Sequence, residues 1–140
     1  MVFLFLAMTS KVIYNGELRT TAVHLASNNS IITDAPTDNH GKGEAFSPTD
    51  LVATAFASCM LTVMGIKANQ MNLDIADTRA EVTKIMASEP RRISEIAVTV
   101  YMPKKQYSDK DKTIMEHTAE TCPVFFSLHT DLKKSVIFVW

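Results

Sequence analysis

The chain carries two cysteines, Cys59 and Cys122. Cysteine acts as a nucleophile through its thiolate, and two thiols that meet in a fold can cycle between dithiol and disulfide. Each residue also has an ordinary structural reading, because free cysteine is among the most buried residue types and packs as a small hydrophobe. Cys122 stands in Thr121-Cys122-Pro123-Val124, where Pro123 suits the first position of a short helix and Cys122 its cap. Sulfur at that cap faces the positive end of the helix dipole, which favours thiolate. Cys59 has no helix terminus at hand, so its reactivity depends on a cation. The two cysteines are distant in sequence and form no Cys-x-x-Cys pair, which fits neither a disulfide-stapled secreted scaffold nor a zinc motif.

The element that must position Cys59 is a long helix beginning in Phe46-Ser47-Pro48-Thr49-Asp50. Ser47 is a capping residue, Pro48 suits the first helical position, and Asp50 falls where the carboxylate of a capping box belongs. From Leu51 to Ile66 the polar side chains are Thr54, Ser58, Thr62 and the Cys59 thiol, so the helix is apolar on nearly every side and calls for burial. Its unbroken apolar character falls short of the ~20 residues a bilayer demands. An end between Gln70 and Asn72 is expected, since Asn tolerates the left-handed closing turn.

Around this helix the chain reads as strands. Lys11 to Tyr14 and Leu18 to Ala26 form a hairpin at Asn15-Gly16, and Ile31 to Thr33 adds a third strand. Arg19 shares a strand face with Val23 and Leu25. Turned inward it would bring a permanent charge to an apolar site, where it could stabilise a thiolate; turned outward it is a solvated strand-end arginine. The segment from Asp34 to Gly43 is a polar loop, with His40, Lys42 and Glu44 as weaker ligand-facing candidates. Ala80 to Met86 and Ile96 to Met102 alternate as two paired strands. Ser108 to Asp111 caps a second helix running toward Cys122, and Val136 to Trp140 closes the chain as a strand. His24, His117 and His129 read as structural histidines.

The Ser47-Pro-Thr-Asp-Leu-Val-Ala-Thr-Ala-Phe-Ala-Ser-Cys59 helix, paired with a distal Thr121-Cys122-Pro-Val124, resembles the OsmC/Ohr family, named for osmotically inducible protein C and organic hydroperoxide resistance protein. The resemblance spans nearly the whole chain, and Glu89-Pro-Arg-Arg92 is similar to a less characterised branch. It implies antiparallel sheets packed around the central helix in an intertwined homodimer, with active sites at the subunit boundary. By matching position Cys59 would be the peroxidatic thiol, Cys122 the resolving thiol, and Arg19 the nearest candidate for the arginine beside the thiol. Peroxidase members carry a glutamate directly after the helix-opening proline, where this chain has Thr49. An arginine here would then lack that carboxylate or borrow Glu44 from the preceding loop, with weaker peroxidase activity as the expected result.

With 140 residues and 14 basic against 15 acidic side chains, the chain fits one domain with a real core and shows no basic run suited to nucleic acid. The expected fold is α/β in composition (α+β in arrangement), a sandwich of antiparallel strands and two main helices over 1–140. The segment 1–7 is expected to be an extension ahead of a start at Met8, because its apolar run lacks the basic leader of a signal peptide. The expected function is thiol-dependent reduction of organic hydroperoxides by a cytoplasmic homodimer, using an external dithiol reductant. Neither metal nor organic cofactor is required, and neither nucleic acid nor membrane is an expected partner. The competing reading is a small-molecule binding protein on the same fold with structural cysteines.

Overall fold

The computed structural model describes residues 7–140, so the reading of the first residues as an extension lies, but for Ala7, outside the described residues. The chain forms two compact units, one ending at Leu51 and the other spanning Val52–Trp140. In the first, β1 (Ser10–Gly16), β2 (Arg19–His24) and β3 (Ser30–Asp34) make an antiparallel sheet in the order β1-β2-β3. The hairpin turns at Glu17-Leu18 and not at Asn15-Gly16. Both turn residues adopt left-handed backbone, Gly16 precedes them with φ 86°, and the ladder slips between Tyr14 and Gly16. Glycine's freedom is thus spent on an irregularity entering the turn, while two ordinary residues make the turn itself. Val12, Ile13, Tyr14 and Ile31 are between 50% and 64% exposed. Since Val12 and Ile13 are adjacent on a strand, apolar side chains are open on both faces of this sheet.

The central helix α1 (Pro48–Gln70) is opened by a reciprocal capping box. Ser47 Oγ accepts the Asp50 N–H at 3.1 Å and an Asp50 carboxylate oxygen accepts the Ser47 N–H at 3.0 Å, which satisfies two backbone donors that a helix start otherwise leaves open. Asn72, at φ 54°, stands in the closing turn. Ala53, Phe56, Ala57, Met60, Met64 and Ala68 are the buried stripe, with the three- and four-residue spacing of a single helix face. The opposite face stays open, with Val52 and Ile66 among its exposed residues, so burial within one chain is one-sided and not all round. At 23 residues, and with an 18-residue window of mean hydropathy 1.7, α1 is long and apolar enough by length and composition to cross a membrane. The buried stripe, not a shortage of length, marks it as a core helix.

In the second unit β4 (Arg79–Ala87) and β5 (Arg92–Tyr101) are antiparallel, and β6 (Lys133–Val139) joins β5 in parallel. This sheet is therefore mixed, where an all-antiparallel one was expected. Parallel neighbours need a crossover too long for a tight turn, and α2 (Asp109–Ala119) and α3 (Pro123–Ser127) lie in that connection. A register shift at Ile85/Met86 explains why the alternation along β4 changes phase there. Ile96, Val98 and Val100 of β5 share a core with the α1 stripe, Met102, Met115, Ala119 and Cys122. The fold is α+β, as expected.

Candidate active site

Cys59 lies on α1 between the buried stripe and the exposed face, flanked in sequence by exposed Ser58 and buried Met60. It is a free thiol, partly accessible, packed against the core. Helix periodicity alone produces this placement. Phe56, Ala57 and Met60 point inward, and Cys59 falls at the margin of their stripe, where a sulfur can meet both protein and solvent.

Cys122 occupies the cap of α3, followed by Pro123 at the first helical position, as the sequence predicts. Its Sγ accepts the Phe125 N–H at 3.3 Å. The expectation that the cap favours thiolate is overturned. Cys122 is fully buried, and burial pushes its thiol up, with a hydrogen bond and charge interaction with Cys59 adding to that rise, while the Phe125 N–H pulls only partly in the other direction. The physical reason is that α3 has five residues and offers little aligned dipole, whereas removal of a thiolate from water acts at full strength. The two cysteines nevertheless come together, a partly accessible thiol beside a buried one. Phe125 also carries the contact between α3 and α1, its ring centroid 6.1 Å from that of Phe56.

Arg19 belongs to the first unit. It begins β2 directly opposite Asp34 at the end of β3. Its Nε and one terminal nitrogen, Nη2, donate to the two Asp34 carboxylate oxygens at 2.7 Å each, and Nη2 also donates to a Glu44 oxygen at 3.1 Å. The Glu44 N–H donates to Asp34 Oδ2 at 3.0 Å. Arg19 is therefore neither in an apolar site nor free in solvent. It is one-third exposed in a carboxylate clamp whose inner member, Asp34, is 2% exposed. The Asp34 and Glu44 hydrogen bonds raise the Arg19 pKa, and the Arg19 guanidinium holds the Asp34 carboxyl below its ordinary range against the opposing effect of burial. The loop candidate Glu44 thus reaches Arg19, and Lys42 pairs with Glu17 at 3.1 Å. Asp34 lies just beyond the strand that the sequence predicts over Ile31 to Thr33. One more residue of strand places Asp34 across from Arg19.

The histidines have local roles. His24 Nδ1 meets Ser27 Oγ at 2.6 Å, and His129 Nδ1 accepts the Asp131 N–H at 3.0 Å. Among the described residues no three His, Cys, Asp or Glu side chains gather as a metal-holding group.

Residues 41–136 match the family model described as OsmC-like protein. The solved structure of a proposed osmotic stress induced and detoxification response protein from Psychrobacter arcticus 273-4 is 56% identical, covering 99% of this chain and 100% of that one at a TM-score of 0.93. An organic hydroperoxide resistance protein OsmC from Legionella pneumophila shares the fold at 14% identity, with 97% and 98% covered and a TM-score of 0.76. The organic hydroperoxide resistance protein OhrB of Bacillus subtilis does so at 17% identity, with 94% and 98% covered and a TM-score of 0.69. No curated protein matches. With the family model covering most of the chain, and with the helix and cap that carry its two thiols in place, this chain belongs to the OsmC-like protein family.

Proposed function

We propose that the protein is a thiol-dependent peroxidase that reduces organic hydroperoxides. The observation that carries this reading is the inequality of two neighbouring thiols, Cys59 partly accessible and Cys122 buried with its pKa raised by burial. Cys59 thiolate attacks the distal peroxide oxygen, the O–O bond breaks, and the alkoxide leaves with the proton that the thiol gave up. Sulfur is oxidised by two electrons to sulfenic acid and the hydroperoxide is reduced to alcohol. Cys122 then attacks the sulfenic sulfur, an S–S bond forms and water departs. An external dithiol reduces the disulfide and closes the cycle. Phe56 and Phe125 pack with their rings 6.1 Å apart in the apolar core that also holds Cys122 and abuts Cys59, and this apolar setting supports alkyl or aryl hydroperoxides over hydrogen peroxide. The family resemblance makes Arg19 the nearest candidate for stabilising the reactive thiolate, and its retained permanent charge fits that role.

The working form is a homodimer in a reducing cytoplasm. The open apolar residues of the β1-β2-β3 sheet and of the outer α1 face support a second copy as their cover, and two free thiols suit a reducing compartment. The test is rapid mixing of cumene hydroperoxide with reduced protein followed by thiol counting. Loss of two thiols per chain is the expected result, and unchanged thiols would make the protein a binder with structural cysteines.

A further inference from the structure

Arg19 could be held by either of two carboxylates, and they are not equivalent. Asp34 is 2% exposed, lies opposite Arg19 on the β2–β3 ladder, and takes both Nε and Nη2 at 2.7 Å in the side-on, two-bond geometry that fixes a guanidinium plane. Glu44 reaches Nη2 alone, at 3.1 Å, from a side chain 64% exposed. Asp34 is itself tied down. It accepts the Glu44 N–H on Oδ2, and its own N–H donates to the Phe46 carbonyl at 3.1 Å, immediately before the Ser47 cap of α1. The remaining terminal nitrogen, Nη1, has no hydrogen-bond partner among the described residues.

From this asymmetry we infer that Asp34 is the positioning residue of Arg19, fixing its guanidinium through Nε and Nη2 so that Nη1 is presented outward to an oxygen acceptor, while Glu44 is a secondary, releasable arm. The inference rests on the reading of Arg19 as the cation of the thiol chemistry. A buried carboxylate with two charge-assisted bonds orients an arginine, whereas a single exposed ion pair is exchanged with water and contributes little order. Besides Arg19, the Glu44 N–H and, more weakly, the Lys42 charge favour the ionised Asp34 carboxyl, and burial opposes them.

The experiment compares the full-length parent with Asp34→Asn and Glu44→Gln, assigning the Arg19 Nε–H resonance by its loss in Arg19→Lys. In the parent the Nε–H is expected to exchange slowly with solvent, and fast exchange there overturns the assignment. Asp34→Asn is expected to abolish that slow exchange and to lower kcat for cumene hydroperoxide by about tenfold or more, the scale of a misoriented catalytic group. Glu44→Gln is expected to keep the slow exchange and to lose less than about threefold. Persistence of the slow Nε–H in Asp34→Asn overturns the assignment, as does a larger effect from Glu44→Gln on both readouts. Should Asp34→Asn fail to fold, acid titration of the parent decides. The Nε–H protection must be lost together with protonation of the Asp34 carboxyl, and protection that outlasts it overturns the assignment. A parent that consumes no hydroperoxide defeats the peroxidase reading alone, since the resonance still reports whether Asp34 holds Arg19.

Discussion

Cys122 Sγ accepts the backbone N–H of Phe125 at 3.3 Å, and yet the thiol titrates above its ordinary range because it is completely buried. A cap hydrogen bond that would activate an exposed cysteine here only offsets part of a desolvation penalty. In the proposed cycle this suits Cys122 to the second step and not the first, since a resolving thiol needs to reach only an adjacent sulfur.

Cys59→Ser is expected to abolish hydroperoxide turnover. Cys122→Ser should leave the first oxidation intact and accumulate sulfenic acid, detectable as a dimedone adduct on Cys59 by mass spectrometry. An equal loss of the first oxidation step in both variants would contradict the division of roles.

The raised Cys122 pKa has a defined sign in stability. The folded state keeps this thiol neutral to higher pH than the unfolded chain does, so its contribution is fully present below the unfolded thiol value, about 8.5, and is lost as pH rises past it. The Tm of reduced protein should fall on moving from about pH 8 to about pH 10, and fall less in Cys122→Ser. Thermal melts under a reducing atmosphere measure this, and identical alkaline slopes for the two proteins would refute it.

Thr49 stands where peroxidase relatives place a carboxylate, but Arg19 already has Asp34 and Glu44 as partners. The expectation of an arginine without a carboxylate is thereby replaced by its borrowing form. Thr49→Glu should raise alkyl hydroperoxide turnover by less than about twofold, because the guanidinium already carries a two-bond clamp. A gain of an order of magnitude in steady-state assays would show that Asp34 does not fill the vacant place.

Ile66, 56% exposed on the outer face of α1, and Ile13, 57% exposed on β1, are apolar surface that a second copy would cover. Light scattering at micromolar concentration should give a dimer mass for the parent, with Ile66→Asp shifted toward monomer. A parent that is a stable monomer removes the dimer from the proposal.

Much of the architecture is written locally. The α1 start is readable because a capping box involves groups within three residues of one another, and the Cys122-Pro123 cap because proline restricts its own backbone. The pairing of β4 with β5 follows from alternation. These signals depend on neighbours along the chain, and so the composition of residues 46–72 and 122–124 determined the placement of both thiols on their elements. What the tertiary structure decided was everything set by distant partners. The parallel docking of β6, the one-sided burial of α1 and the clamp of Asp34 on Arg19 depend on strand register and on which surfaces meet, and sequence spacing does not encode either one directly. The same holds for Cys122, whose cap chemistry was legible while its desolvation was not. A helix end is a local property, but water is excluded from it by residues far away in the chain.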